Sequence, residues 1–136
     1  MNTTENQNTL FPKGDRAPAD YFTGTAWIKN LAPADDIFNT VIGNVVFEPG
    51  ARNNWHRHGG GQILIATSGT GYYQEKGKPI QLFHKGEVIR IAPGIVHWHG
   101  ASSDSDFTHI AVNTNTHKGI VEWLERVTDE EYNSFK

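Results

Sequence analysis

The stretch GARNNWHRHGGGQILIATSG, residues 50–69, decides how this chain is read. His56 and His58 sit one residue apart, three glycines follow, and Gln62 opens an apolar run rich in β-formers. Alternate side chains of an extended strand point the same way, so the two imidazoles share a face and Arg57 takes the other. Two imidazoles placed like this can grip one divalent metal ion. The glycines at 59–61 give the backbone room to turn, and Gln62 can bring its amide oxygen back to the same point. His97 and His99 repeat the spacing in HWHG. One of them, on a neighbouring strand, can supply a third imidazole, and the spacing leaves open which. A single His-x-His is weak evidence, because exposed strands carry histidines freely. Two pairs in one small β domain, each beside a Pro-Gly or glycine-rich turn, favour a metal site.

Outward from this stretch the pattern stays β-like. YFTGTAWIKNL, from Tyr21, reads as one strand, and NTVIGNVVFEPG as a second that ends at Pro49-Gly50. Residues 62–94 hold several short strands punctuated at Ser68-Gly69, 76–79, Lys85-Gly86 and Pro93-Gly94; VHWHG and FTHIAVNTN continue the series. Short strands at this spacing, with little helical periodicity, predict an all-β fold, a barrel or sandwich. IVEWLERV fits a strand better than a helix, being short with β-branched ends. Thr128 followed by Glu131 has capping-box spacing, which predicts a short helix from Asp129 to about Phe135. Residues 1–20, rich in Asn and Thr, read as a flexible N-terminal arm, and residues 21–136 as a single domain.

Bulk composition narrows the function. At 136 residues the chain has the size of one domain with one core. The net charge of -3 and pI near 6.1 give no electrostatic reason to expect nucleic acid or an anionic membrane as partner. No cysteine is present, which removes disulfides, thiolate metal sites and cysteine nucleophiles. No run approaches the roughly 18 apolar residues of a membrane span, and the polar start does not read as a secretory signal. A cytoplasmic location is the expectation. Seven histidines against one methionine are the compositional anomaly.

At this point the residues resemble a known family. Gly50, His56, His58, Gln62 and Gly69 stand in register with the first motif of the cupin superfamily, with Gln in place of the usual Glu. Gly86, Ala92-Pro93-Gly94 and His97 resemble the second motif, with Ala92 and Ala101 replacing its usual Pro and Asn. This resemblance spans about residues 40–113. It implies a small antiparallel β-barrel of jelly-roll type, with metal ligands His56, His58, Gln62 and His97 projecting inside. DYFTGT, VVFEPGARNNWHRH, PGIVHWHGA, THIAVN and VEWLERVTDEEY extend it, from about residue 20 to 132, to the single-domain cupins that include the manganese-dependent (R)-selective hydroxynitrile lyases. In that group Gln at the fourth ligand position is expected. The resemblance implies Mn as the metal; nitrogen and oxygen ligands without sulfur also admit Fe, Zn, Ni or Co.

Three neutral imidazoles and a neutral amide leave the charge of a divalent ion uncancelled. Such an ion is a strong Lewis acid that attracts alkoxide, enolate or cyanide. Oxygen-activating iron usually has a carboxylate ligand, so Gln62 tilts the reading from dioxygenase toward lyase or isomerase. Strand parity places His99 beside His97, puts His109, Ala111 and Asn113 on one face, and groups Gly43, Val45 and Phe47 on another; the resemblance turns these faces inward. His99 and His109 are then the candidate proton-transfer residues, and Val45 and Asn113 the candidate substrate contacts. Half-buried structural roles compete for His109. Trp98 reads as outer-face packing, Trp27, Trp55 and Trp123 as core or interface, and His84 and His117 as turn or surface residues. The expected function is a metal-dependent lyase on a small hydroxy or carbonyl compound, splitting a cyanohydrin into a carbonyl compound and cyanide. The competing expectations are an isomerase or lyase on sugar acids, an Fe-dependent dioxygenase, and a non-catalytic small-ligand-binding cupin. The expected partners are a small-molecule substrate and a second copy, as a homodimer or dimer of dimers formed through strand edges in YFTGTAWIKNL and IVEWLERV.

Overall fold

The computed structural model describes residues 10–135. The fold is all-β and antiparallel: a curled sheet forming a half-closed barrel, with one short helix near the C-terminus. Twelve strands run in chain order: β1 (Asp15–Arg16), β2 (Phe22–Thr23), β3 (Ala26–Ala32), β4 (Val41–Phe47), β5 (Arg52–Asn53), β6 (His56–Arg57), β7 (Gln62–Glu75), β8 (Gln81–His84), β9 (Val88–Ile91), β10 (His97–Ala101), β11 (Phe107–Asn113) and β12 (Glu122–Trp123). The strand path is β1-β3-β4-β11-β7-β10-β5-β2, with β8 and β9 paired to β7, and β6 joining β10 to β12.

β7 binds the two faces of the barrel together. Its first half pairs with β11 and β9, and its second half with β8 and β10. The turn expected at Ser68-Gly69 is absent: both residues lie inside one 14-residue strand and pair with β11. The register with β11 slips just before them, at Thr67, and Gly69 takes φ +79, a left-handed conformation that does not end the strand. The opposite correction applies to YFTGTAWIKNL. It is two strands, because Gly24 at φ +80 redirects the chain between β2, which pairs with β5, and β3, which pairs with β4. Of IVEWLERV only Glu122–Trp123 forms a strand, and the rest crosses the barrel as an extended strap. Part of the expected arm belongs to the sheet: Asp15 and Arg16 pair with β3, and Ala17 is buried in the core. Residues 1–9 of that arm lie outside the described residues. The helix α1 (Asp129–Tyr132) carries the full capping box between Thr128 and Glu131 and stops at Tyr132, three residues short of expectation.

Side-chain size grades the interior from a packed end to an open mouth. At the packed end Phe47, Leu64, Phe83 and Phe107 are all fully buried. Truncating one of the three phenylalanines to alanine costs about 3–5 kcal/mol, lost transfer energy and cavity together. Further along the same strands the interior positions become Gly43, Val45, Ala111, Gln62 and Asn113, which leaves space unfilled. A second cluster, Trp55, Tyr72, Trp98 and Tyr132, packs outside the barrel under α1, on the face to which strand parity assigns Trp98. Among the described residues no helix is long and apolar enough to cross a membrane.

Candidate metal centre and its cavity

The unfilled end of the barrel is a cavity of about 230 Å³. His56, His58, Gln62, His99 and His109 contribute polar groups to its lining; Phe22, Ile28, Val45 and Trp123 form apolar wall. His56 stands on β6 directly opposite His97 on β10. Rings of His56 and His97 lie 4.2 Å apart between centroids, and His58 lies 5.0 and 5.3 Å from them. The glycines after His58 have a tertiary reason as well as a local one. A Cβ on Gly59 would collide with the Lys118 carbonyl, and one on Gly60 with the Thr114 carbonyl. Only glycine lets the loop after His58 lie against the segment that carries Ile120.

Hydrogen bonds determine what each imidazole offers. Nδ1 of His56 donates to the Asn54 carbonyl at 2.7 Å, Nδ1 of His58 to the Ile120 carbonyl at 2.7 Å, and Nδ1 of His97 to the Ile95 carbonyl at 2.9 Å. A carbonyl oxygen can only accept, so each Nδ1 carries the hydrogen and each Nε2 presents a lone pair. This is the outer-shell arrangement that orients metal-binding histidines. Burial holds all three neutral: His97 is lowered to about 4, His58 is lowered, and His56 is held well below its ordinary value by burial and then by His97 and His58. Nε2 of His58 is buried and has no partner among the described residues.

Gln62 completes the set. Its Nε2 donates to Asn113 Oδ1 at 2.8 Å, which turns its Oε1 toward His97 Nε2, 3.2 Å away. Both of those atoms are acceptors. Two facing lone pairs with no hydrogen between them repel, and a cation between them removes the repulsion. The residues present therefore fit a divalent ion, with His56, His58, His97 and Gln62 able to hold it.

On distance alone His56, His97 and His99 form the three-histidine group, with ring nitrogens all within 4.8 Å of one another and His58 outside it, so His99 competes directly for the ion. Its hydrogen bonds set it apart. Nδ1 of His99 meets Nε2 of His109 at 2.9 Å, while Asn53 accepts the His99 backbone N–H at 3.0 Å and lays its amide against the ring. One hydrogen lies between two ring nitrogens, and among the described residues neither ring donates to another residue's backbone carbonyl. Burial, followed by His109, holds His99 well below its ordinary value, and burial lowers His109 to about 3. Val45 and Asn113 both line the cavity. Residue patterning alone does not single out Asn53, Phe22 or Trp123. Trp123 reaches the cavity because β12 pairs it opposite His56, with ring centroids 4.9 Å apart, and Tyr21 stacks on its other side at 4.7 Å.

This barrel and its inward donor set define the class. Residues 43–113 match the Cupin domain family, and the chain belongs to it. It is 44% identical over 117 residues, 86% of this chain and 89% of the relative, to a protein from Granulicella tundricola named (R)-mandelonitrile lyase. A cupin-like protein from Thermotoga maritima superposes with a TM-score of 0.91 at 48% identity, covering 95% of this chain and 98% of that one. A cupin-2 domain from Rhodospirillum rubrum, 13% identical with a TM-score of 0.68, covers 92% and 82% and shares the fold.

Proposed function

We propose that this chain is a metal-dependent lyase that cleaves small cyanohydrins into a carbonyl compound and cyanide, with His56, His58, His97 and Gln62 as ligands and Mn as the metal. The observation that carries the reading is the facing pair of acceptors, Gln62 Oε1 and His97 Nε2, set beside the separate His99–His109 pair at the same end of the barrel. The likeness to a relative named for mandelonitrile cleavage supports the choice of substrate.

A divalent ion at this position supplies Lewis acidity, lowering the pKa of a substrate hydroxyl and favouring negative charge on its oxygen. The chain's own residues do the rest. Nε2 of neutral His99 takes the hydroxyl proton while Nδ1 stays bound to His109, which spreads the charge gained over two imidazoles. The oxygen's electron pair forms the carbonyl, the carbon–carbon bond to the nitrile breaks, and its pair leaves on cyanide. His99 returns the proton to cyanide, so atoms and charge balance. Val45, Phe22 and Trp123 offer apolar wall to the substituent and keep bulk water from the reacting carbon.

The test is cyanide release from mandelonitrile by Mn(II)-loaded and chelator-stripped protein, each corrected for spontaneous decay. Release that depends on the metal is the expected result. No release from fully loaded protein overturns the reaction and directs the search to sugar acids and dicarbonyl compounds.

A further inference from the structure

We propose that Asn113 is a positioning residue for the fourth ligand: by accepting the Gln62 Nε2–H it fixes which end of that amide faces the metal position. The inference rests on the ligand set proposed above and assigns Asn113 a task beyond substrate contact.

The two ends of a glutamine amide are nearly the same size, and the terminal torsion of the side chain is broad and roughly two-fold. Nothing intrinsic to Gln62 therefore chooses oxygen over nitrogen. The choice matters, because the neighbouring group is the lone pair on His97 Nε2, 3.2 Å from Gln62 Oε1. With the amide reversed, Gln62 would donate an N–H to that lone pair. The resulting hydrogen bond would satisfy both groups and occupy the place of the cation. In the observed orientation neither group is satisfied by the other.

Asn113 sets that orientation from directly across the sheet. It is the cross-strand partner of Gln62 in the β11–β7 ladder, so the two side chains leave the backbone side by side on the inner face. Its Oδ1 receives the Gln62 N–H at 2.8 Å. Reversal of Gln62 would place two oxygens against each other unless Asn113 turned as well. A residue without an acceptor at 113 removes this bias.

The experiment is a double-mutant cycle read by Mn(II) affinity, using isothermal titration of the full chain. Asn113→Ala should weaken Mn(II) binding about 10–100-fold, the range for loss of an outer-shell partner. Gln62→Glu gives residue 62 two equivalent oxygens and no orientation to choose, so adding Asn113→Ala to it should change affinity only a few-fold. Unfolding of the metal-free variants checks that the barrel is intact. Unchanged affinity in Asn113→Ala overturns the inference, and so does an equal loss in both backgrounds, which would mean a general structural role. If the unaltered chain binds neither Mn(II) nor Co(II), the ligand set itself fails, and that result is distinct from either of the others.

Discussion

Five histidines cluster at one end of the barrel, four of them lining the cavity and His97 packed against His56, and they form two chemically different groups. His56, His58 and His97 each hand Nδ1–H to a backbone carbonyl and are left with a fixed lone pair on Nε2. His99 and His109 are bonded to each other through Nδ1 and Nε2, and among the described residues neither ring donates to another residue's main-chain carbonyl. Burial keeps both groups neutral. The difference lies in what fixes the tautomer: a carbonyl fixes it permanently, and a second imidazole lets it exchange. The first condition suits a ligand, the second suits a proton carrier.

The comparison breaks most visibly if the groups are interchangeable. His97→Ala should abolish retention of Mn(II) and with it all metal-dependent cyanide release; retention of stoichiometric metal after desalting would remove His97 from the ligand group. His109→Ala should lower release by less than the about 10²–10⁴-fold of a full general acid–base contribution, because His99 keeps the nitrogen that takes the proton, with metal content unchanged. Loss of metal in that variant would move His109 into the ligand group.

A pH series sharpens the same contrast in metal-free protein. A histidine whose folded pKa lies below its unfolded value of 6.5 binds fewer protons folded than unfolded, so stability is complete above 6.5 and falls as pH drops toward the folded value. For His97, lowered to about 4, this amounts to about 3 kcal/mol lost between pH 6.5 and pH 4. His56, His58, His99 and His109 are all lowered too and act in the same direction. Denaturant unfolding that shows no decline over this window would contradict the neutral, buried state of both groups.

The smallest effect concerns the strap that reaches the site from the C-terminus. Ile120, whose carbonyl orients His58, leads into this strap. The strap is pinned by Arg52 to Val127 and Asp129, by Tyr132 to Ala101, and by the Thr128 cap. Thr128→Ala should cost about 1 kcal/mol in stability, with Mn(II) affinity unchanged because the other clasps remain. A drop in affinity matching that of a lost ligand would show that the cap, and not local packing, holds His58 in place.

Much of the fold is legible in the order of residues alone. Strand alternation places His56 with His58 and His97 with His99, sends Trp98 to the outer face, and brings His109, Ala111 and Asn113 to one side, because a period of two needs no tertiary information. The Thr128–Glu131 spacing announces the helix for a similarly local reason. The misread boundaries share one cause. Gly24 and Gly69 both adopt left-handed backbone, yet the chain changes sheet at one and continues within the same strand at the other. What distinguishes them is the strand lying alongside, and that neighbour is distant in sequence.

The candidate site divides in the same way. The residue pattern establishes which donors exist and which of them share a face. Folding alone settles which nitrogen of each ring is free. That outcome comes from the Asn54, Ile95 and Ile120 carbonyls, and a carbonyl is present at every residue and so leaves no trace in the pattern of side chains. Ile120 lies 62 residues from His58, and Asn113 lies 51 from Gln62. Only closure of the barrel brings such groups within hydrogen-bond reach, and at that distance the direction of one N–H separates a fixed lone pair from a hydrogen held between two rings.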